Sequence, residues 1–319
     1  MKPATAQEFF SHDLQLTSCA FCEQQKELQL SHVIPRFVIK WLRDTSATGH
    51  VRASHTPNLR VQDGWKARML CWDCEQMFGT WEKAFAEEAF YPLHSDRHIS
   101  TSYGPWFSRF AASQSWRVLR AYSLRNSLLD HFTPPLLVAA ERALARWKAF
   151  LLGQEKHPGA YELHAVKVDI IKDTSMPGLP SNINRYLSRA IDLDVVAGRR
   201  TAFVYSKLAR IIIVGFIEMP HPRRWKGTRL SPTTGGFGLG DVTVPAEFGS
   251  FLTDKARLMA AAGRKLSHQQ RNRISDAVTR DPARVATSEL AEAIAQDVAM
   301  FGNLAFSNPD EEETSDDTP

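Results

Sequence analysis

Apolar positions along the chain change period several times. Phe37, Val38, Trp41 and Leu42 recur at helical spacing, and Phe78, Trp81 and Phe85 mark one face of a second helix, with Glu75 and Glu82 on another. Trp106, Phe107, Phe110, Trp116, Leu119 and Tyr122 fall near a period of 3.6 within 104–130. Pro134 and Pro135 break that pattern and 136–152 resumes it. Pro158-Gly159 then punctuates a switch to strand chemistry. Leu163, Val166, Val168 and Ile170 alternate partly within 161–171, and 201–205 with 211–217 predict a hairpin whose second strand is apolar enough to be interior. Residues 235–244, rich in glycine, predict a short strand or a loop. From Ala246 the helical pattern returns through Phe301, with Ser267 and Ser288 placed to cap two of its helices. The order of helices, strands and helices, with no internal repeat, predicts an α+β fold rather than alternating βαβ units.

Composition sharpens this picture in two places. The 319 residues carry 43% hydrophobic and 10% aromatic side chains, which excludes disordered, collagen-like and coiled-coil chains. The longest apolar run, 211–217, is far short of the roughly 20 residues of a membrane span. The first residues lead into polar and acidic positions without an apolar signal core, so a cytoplasmic protein is expected. Net charge is +4, but it is uneven. Residues 308–319 hold six acids and no base, so the rest carries 39 basic side chains against 29 acidic ones (35 less those six). The acidic end, 307–319, is expected to be a disordered tail, either solubilising or a strip that competes with nucleic acid for the basic body. A basic body favours polyanion partners, because each neutralised phosphate releases counterions.

The four cysteines form two C-x-x-C pairs, Cys19–Cys22 and Cys71–Cys74, with none left over. Two residues between thiolates let one turn present both sulfurs to a single ion, and two such turns complete a tetrahedral shell. A structural Zn2+ held by Cys19, Cys22, Cys71 and Cys74 is therefore expected. Paired disulfides would need an oxidising compartment, and a thioredoxin-like site would not use the second pair. A knuckle, an extended hairpin region and a second knuckle opening a helix make a treble-clef arrangement. Its second pair of thiolates then sits at the positive end of a helix dipole.

Cys-x-x-Cys, then Ser31-His32-Val33-Ile34-Pro35, then Cys-x-x-Cys at a helix start resembles the HNH nuclease family, a ββα-metal fold often scaffolded by zinc. The resemblance covers about residues 15–90. It implies that His32 is a general base activating water against a phosphodiester, and that a catalytic Mg2+ or Mn2+ stands beside it. It further implies an orienting or ligating role for Asn58, and for Glu75 where the family has His or Asn after the last cysteine. Ser31 replaces the usual ligand before the base, and His50 or His55 could supply a missing one. As purely structural residues, His32 would bond to a carbonyl, Glu75 would complement the helix dipole and Asn58 would sit in a turn.

Arg223, Arg224, Trp225, Lys226 and Arg229 concentrate charge around an indole in a Pro- and Gly-flanked loop. They either clamp a nucleic-acid backbone with the indole on a base, or form a solvated loop whose Trp225 plugs the sheet edge. The glycines of 235–240 lack the Lys-Ser/Thr of a phosphate loop. The expected organisation is a zinc module at 1–98, a larger unit of helices and antiparallel strands at 99–306, and the tail. The expected function is an HNH-like endonuclease acting on nucleic acid, DNA first, with family roles in bacterial defence or mobile elements. The alternative is a non-catalytic zinc-stabilised nucleic-acid-binding or adaptor protein. Neither oligomeric state nor sequence specificity has a marker.

Overall fold

The computed structural model describes residues 16–306 except 62, 96–99 and 174–177. The acidic tail expected at 307–319 lies outside the described residues. The chain divides into two compact units, each built from three segments: Met1–Ile39, Asp63–Lys167 and Ile191–Pro245 in the first; Lys40–Gln62, Val168–Ala190 and Ala246–Pro319 in the second. Both mix helix with irregular backbone, and the strands make the fold α+β.

In the first unit β1 (Leu28–His32) pairs antiparallel with β2 (Lys66–Cys71), and α2 (Trp72–Phe85) follows β2 without a loop. Between the strands in sequence comes α1 (Arg36–Asp44), whose residues up to Ile39 belong to this unit; there Phe37 packs edge-on to Phe90 at 5.1 Å. A two-stranded ribbon joins β3 (Thr101–Tyr103) to β8 (Gly235–Phe237). The main sheet has the order β4-β7-β6-β5, every pair antiparallel: β4 (Leu163–Lys167), β5 (Ile191–Ala197), β6 (Ala202–Leu208) and β7 (Ile211–Glu218). The apolar β7 is interior, as its composition requires.

Two long helices, α3 (Pro105–Leu124) and α4 (Pro134–Leu151), pack on this sheet. Pro134 and Pro135 open α4 rather than separating two patterns, because proline at the first helical positions forfeits only donors without partners. The close approach depends on Gly215 of β7: a Cβ there would lie 2.5 Å from Ser115 Oγ of α3 and 2.9 Å from Trp147 of α4.

Helix α2 packs on the same α3. Phe85 stacks on Phe110 at 3.9 Å, and Phe21, in the first cysteine knuckle, meets Phe78 at 5.0 Å and Trp116 at 4.9 Å. These rings form one core joining the knuckle, α2 and α3, and the hairpin and the main sheet fall within the same compact unit. The boundary expected at 98/99 does not separate them.

The second unit contains α5 (Ile183–Arg189), α6 (Ala246–Arg264), α7 (His268–Arg280), α8 (Pro282–Ala286) and α9 (Glu289–Phe301). Ile183, Tyr186, Leu187 and Ala256 form its core, with Leu252, Met259 and Phe301 against them. Asp297 of α9 is fully buried and accepts from the backbone N–H of Asn184 and from Arg185 Nε at 2.8 Å, tying α9 to the start of α5. Ser267 and Ser288 cap α7 and α9, as their sequence positions predict. No helix among the described residues is long and apolar enough to cross a membrane.

Candidate functional site

The four cysteine sulfurs lie within 4.8 Å of one another, with Cys22 and Cys71 3.7 Å apart. Sulfurs bound at about 2.3 Å to one tetrahedral ion would stand about 3.8 Å apart. The set therefore fits a metal ion and is consistent with structural zinc. Backbone geometry builds it. The first knuckle closes through Cys19 N–H to the Gln24 carbonyl and Glu23 N–H to the Cys19 carbonyl, and Glu23 takes a positive φ of 65° to make the turn. Ala20 N–H bonds to the Met69 carbonyl, fastening the knuckle to β2. Cys71 ends β2 and is the residue before α2, so its sulfur and that of Cys74 occupy the helix N-terminus.

Cys71 N–H also donates to Cys19 Sγ at 3.3 Å. A hydrogen bond from Cys74 lowers the Cys19 thiol to about 4 against the opposing effect of burial, and Cys74 is pushed up by the same bond and by burial. The Cys19 thiolate thus forms readily, while the proton on Cys74 needs a cation to displace it.

His32 ends β1. Its Nε2 lies 2.7 Å from Asp63 Oδ1, and Asp63 Oδ2 lies 2.6 Å from Lys66 Nζ, the residue directly across from His32 on β2. Gly64 N–H also donates to Asp63 at 2.9 Å. Burial opposes ionisation of Asp63, but the bonds from Lys66, His32 and Gly64 outweigh it and hold the carboxyl at about 2. With Nε2–H donating to this carboxylate, the neutral ring keeps its lone pair on Nδ1, which has no hydrogen bond among the described residues. The imidazole is 18% exposed. Behind it, Arg117 of α3 is almost wholly buried; it donates to the His32 carbonyl at 2.6 Å, pairs with Glu82 of α2 and lies over the Phe78 ring. Gln114 donates to the Val33 carbonyl at 3.1 Å. The backbone at His32 and just after it is therefore pinned from α3.

Asn58 belongs to the second unit, where its side chain donates to the Lys265 carbonyl and accepts from Ser267 N–H at 2.7 Å. His50 and His55 lie in the same segment of that unit. Glu75 sits in the first turn of α2, its Oε2 buried and without a hydrogen-bond partner among the described residues. Ser31 is buried on the opposite face of β1 from His32. Among the described residues the four cysteines are the only group of three or more His, Cys, Asp or Glu side chains converging as metal ligands.

Around the loop after β7, Arg223, Arg224 and Lys226 line an open hollow with Pro220, His221 and Pro222. Arg229 pairs with Glu162 at 3.2 Å. Trp225 is 5% exposed, edge-on to Phe216 at 5.4 Å and beside His164, so it plugs the sheet and offers no face to a base. Gly227 makes the turn beyond it with φ +70°, where a Cβ would strike the Asp241 carbonyl at 2.5 Å.

Asp63 is the residue that sequence reading misses. Asp63-Gly64 reads as a turn, and only the β1–β2 register carries it to His32 across 31 positions. No protein-family model matches the chain, and neither a curated protein nor a solved structure matches it.

Proposed function

We propose that this chain is a zinc-stapled, HNH-like endonuclease that hydrolyses nucleic-acid phosphodiesters, with His32 as general base and Asp63 in the orienting role first assigned to Asn58. The observation that carries this reading is the 2.7 Å contact between His32 Nε2 and Asp63 Oδ1, at the end of a strand whose partner runs into the four-cysteine cluster. The antiparallel pairing of β1 with β2 and the helix α2 that follows β2 directly support a treble-clef or ββα-metal reading, with α1 inserted between the two strands. Nδ1 takes the proton of a water as that oxygen attacks phosphorus. The P–O bond to the leaving sugar oxygen breaks, and that oxygen takes a proton from solvent. Asp63 stabilises the imidazolium that forms. The basic loop of Arg223, Arg224 and Lys226 supplies positive charge for the substrate backbone.

The Mg2+ or Mn2+ implied by the resemblance has no ready seat of three converging side chains among the described residues, so no step is placed on it. That same observation favours a second reading, a zinc-stabilised nucleic-acid-binding protein without catalysis. One experiment decides between them: plasmid DNA and single-stranded RNA are incubated with the zinc-loaded protein and with His32→Ala, with and without Mg2+ or Mn2+. Cleavage that disappears in the variant supports the hydrolase. Binding without cleavage by the parent protein overturns it in favour of the second reading.

A further inference from the structure

One face of the β1–β2 hairpin carries more than the His32 ring. Strand alternation and register place Ser31 opposite Ala67 on the buried side, and His32 opposite Lys66 and Leu30 opposite Arg68 on the outer side. The two outer pairs are about 7 Å apart, comparable with the spacing of successive phosphates in an extended nucleic-acid strand. Charge on this face is selective. Lys66 is neutralised by Asp63, and Lys26, just before β1, by Asp73 at 2.7 Å. Arg68 makes no ion pair among the described residues. One of its guanidinium N–H groups donates to the Leu28 carbonyl at 3.1 Å, which directs the head toward the end of the hairpin where Leu28 faces Cys71. Trp72 follows immediately. It is 60% exposed, and it is anchored between Cys71 and Cys74, so the metal centre would fix its backbone. Leu30 is exposed too. Exposed apolar surface beside an uncompensated guanidinium suits a partner that is anionic along its backbone and flat in its side groups.

The geometry points to the outer face of this hairpin as a track for a single nucleic-acid strand leading away from His32, in which Arg68 grips the phosphate next to the one under attack and Trp72 stacks on a base at the far end. The inference rests on the nuclease reading for its placement of the scissile phosphate. A guanidinium meets a phosphate with two parallel donors. An indole stacks on any base, so the track is tolerant of sequence and needs unpaired nucleotides.

The test is fluorescence anisotropy of a labelled single-stranded DNA 12-mer, the matching RNA and the duplex, on the full zinc-loaded chain at several salt concentrations. Arg68→Ala is expected to weaken single-strand binding several-fold and to reduce the slope of log Kd against log salt by about 0.7. Trp72→Ala is expected to weaken it about tenfold with the slope unchanged. Zinc content and melting temperature check that both variants fold. If the parent binds no single strand, or if either variant keeps the parent Kd, the track is overturned. Cleavage on the same substrates separates the two ideas. Cleavage that needs His32 but ignores Arg68 and Trp72 sinks the track alone, whereas binding that needs both residues without cleavage sinks the hydrolase and leaves the track.

Discussion

Arg117 and His32 are joined through the backbone: the guanidinium of Arg117, enclosed in α3, donates to the His32 carbonyl at 2.6 Å while its other branch pairs with Glu82. One buried cation thus fixes the end of β1 to both α2 and α3. Arg117→Ala leaves Glu82 without its partner in a largely buried setting and should cost about 3–5 kcal/mol by urea denaturation. Replacing the pair together, as Arg117→Met with Glu82→Leu, should recover part of that loss. A double variant no more stable than Arg117→Ala would show that the backbone tie, not the ion pair, carries the energy.

The proposed base works through Asp63. Because that carboxyl is held at about 2, it stays ionised across the working range, and the acid limb of log rate against pH should rise with a slope of one, without a contribution from Asp63. His32→Ala should lower cleavage by about 10²–10⁴-fold. Asp63→Asn should lower it less while leaving substrate binding in place. A parent slope of two would mean that a second acid must also lose its proton.

Purified protein should carry one zinc per chain. A chelator strong enough to remove it should lower the melting temperature and loosen the hairpin and α2, since the thiolates have no other cation to hold them together. Cys74→Ser should do the same. Acid releases the ion as the thiols recover their protons, so the metal-dependent part of stability falls with falling pH. Metal analysis with circular dichroism checks both outcomes.

Lys207 of β6 is completely buried and donates to the Ala209 carbonyl; burial, with Arg210, brings its ammonium down to about 7 against the pull of Asp192. The unfolded chain keeps this proton to about pH 10. Between about pH 7 and 10 the unfolded state therefore binds more protons, and stability rises with pH; below about 7 both states hold the proton and this contribution is flat. Lys207→Met should flatten the rise and raise stability at pH 6. Denaturation curves at pH 6, 8 and 9.5 measure it, and a parent whose stability does not climb over that range would contradict the assignment.

Gly215→Ala should destabilise the first unit by about 1–3 kcal/mol, because the added methyl meets Ser115 and Trp147 closer than contact distance. Chemical denaturation reads the loss directly.

Features set by near neighbours were legible in the sequence. Two C-x-x-C pairs announce a sulfur cluster because each pair closes in a single turn, and the helices over Pro105–Leu124 and Pro134–Leu151 follow from a 3.6-residue apolar period. The interior place of β7 follows from its unbroken apolar run. Even so, β5 went unread although Ile191, Leu193 and Val195 alternate with Asp192 and Asp194, as an edge strand should. Helix α5, seven residues long, is too short to show a period.

Long-range contacts were decided only by the tertiary structure. It chose Asp63 over Asn58 as the partner of His32, because antiparallel register selects neighbours that sequence distance hides. It buried Trp225 and exposed Trp72, since the deciding factor is whether a sheet face such as Phe216 needs cover. It also placed the hairpin module and the main sheet in one compact unit, with α2 packed on α3 through Phe85 and Phe110. Spacing encodes what one turn of chain can hold, whereas the choice among distant partners is made by which packing buries the most apolar surface with its polar groups satisfied.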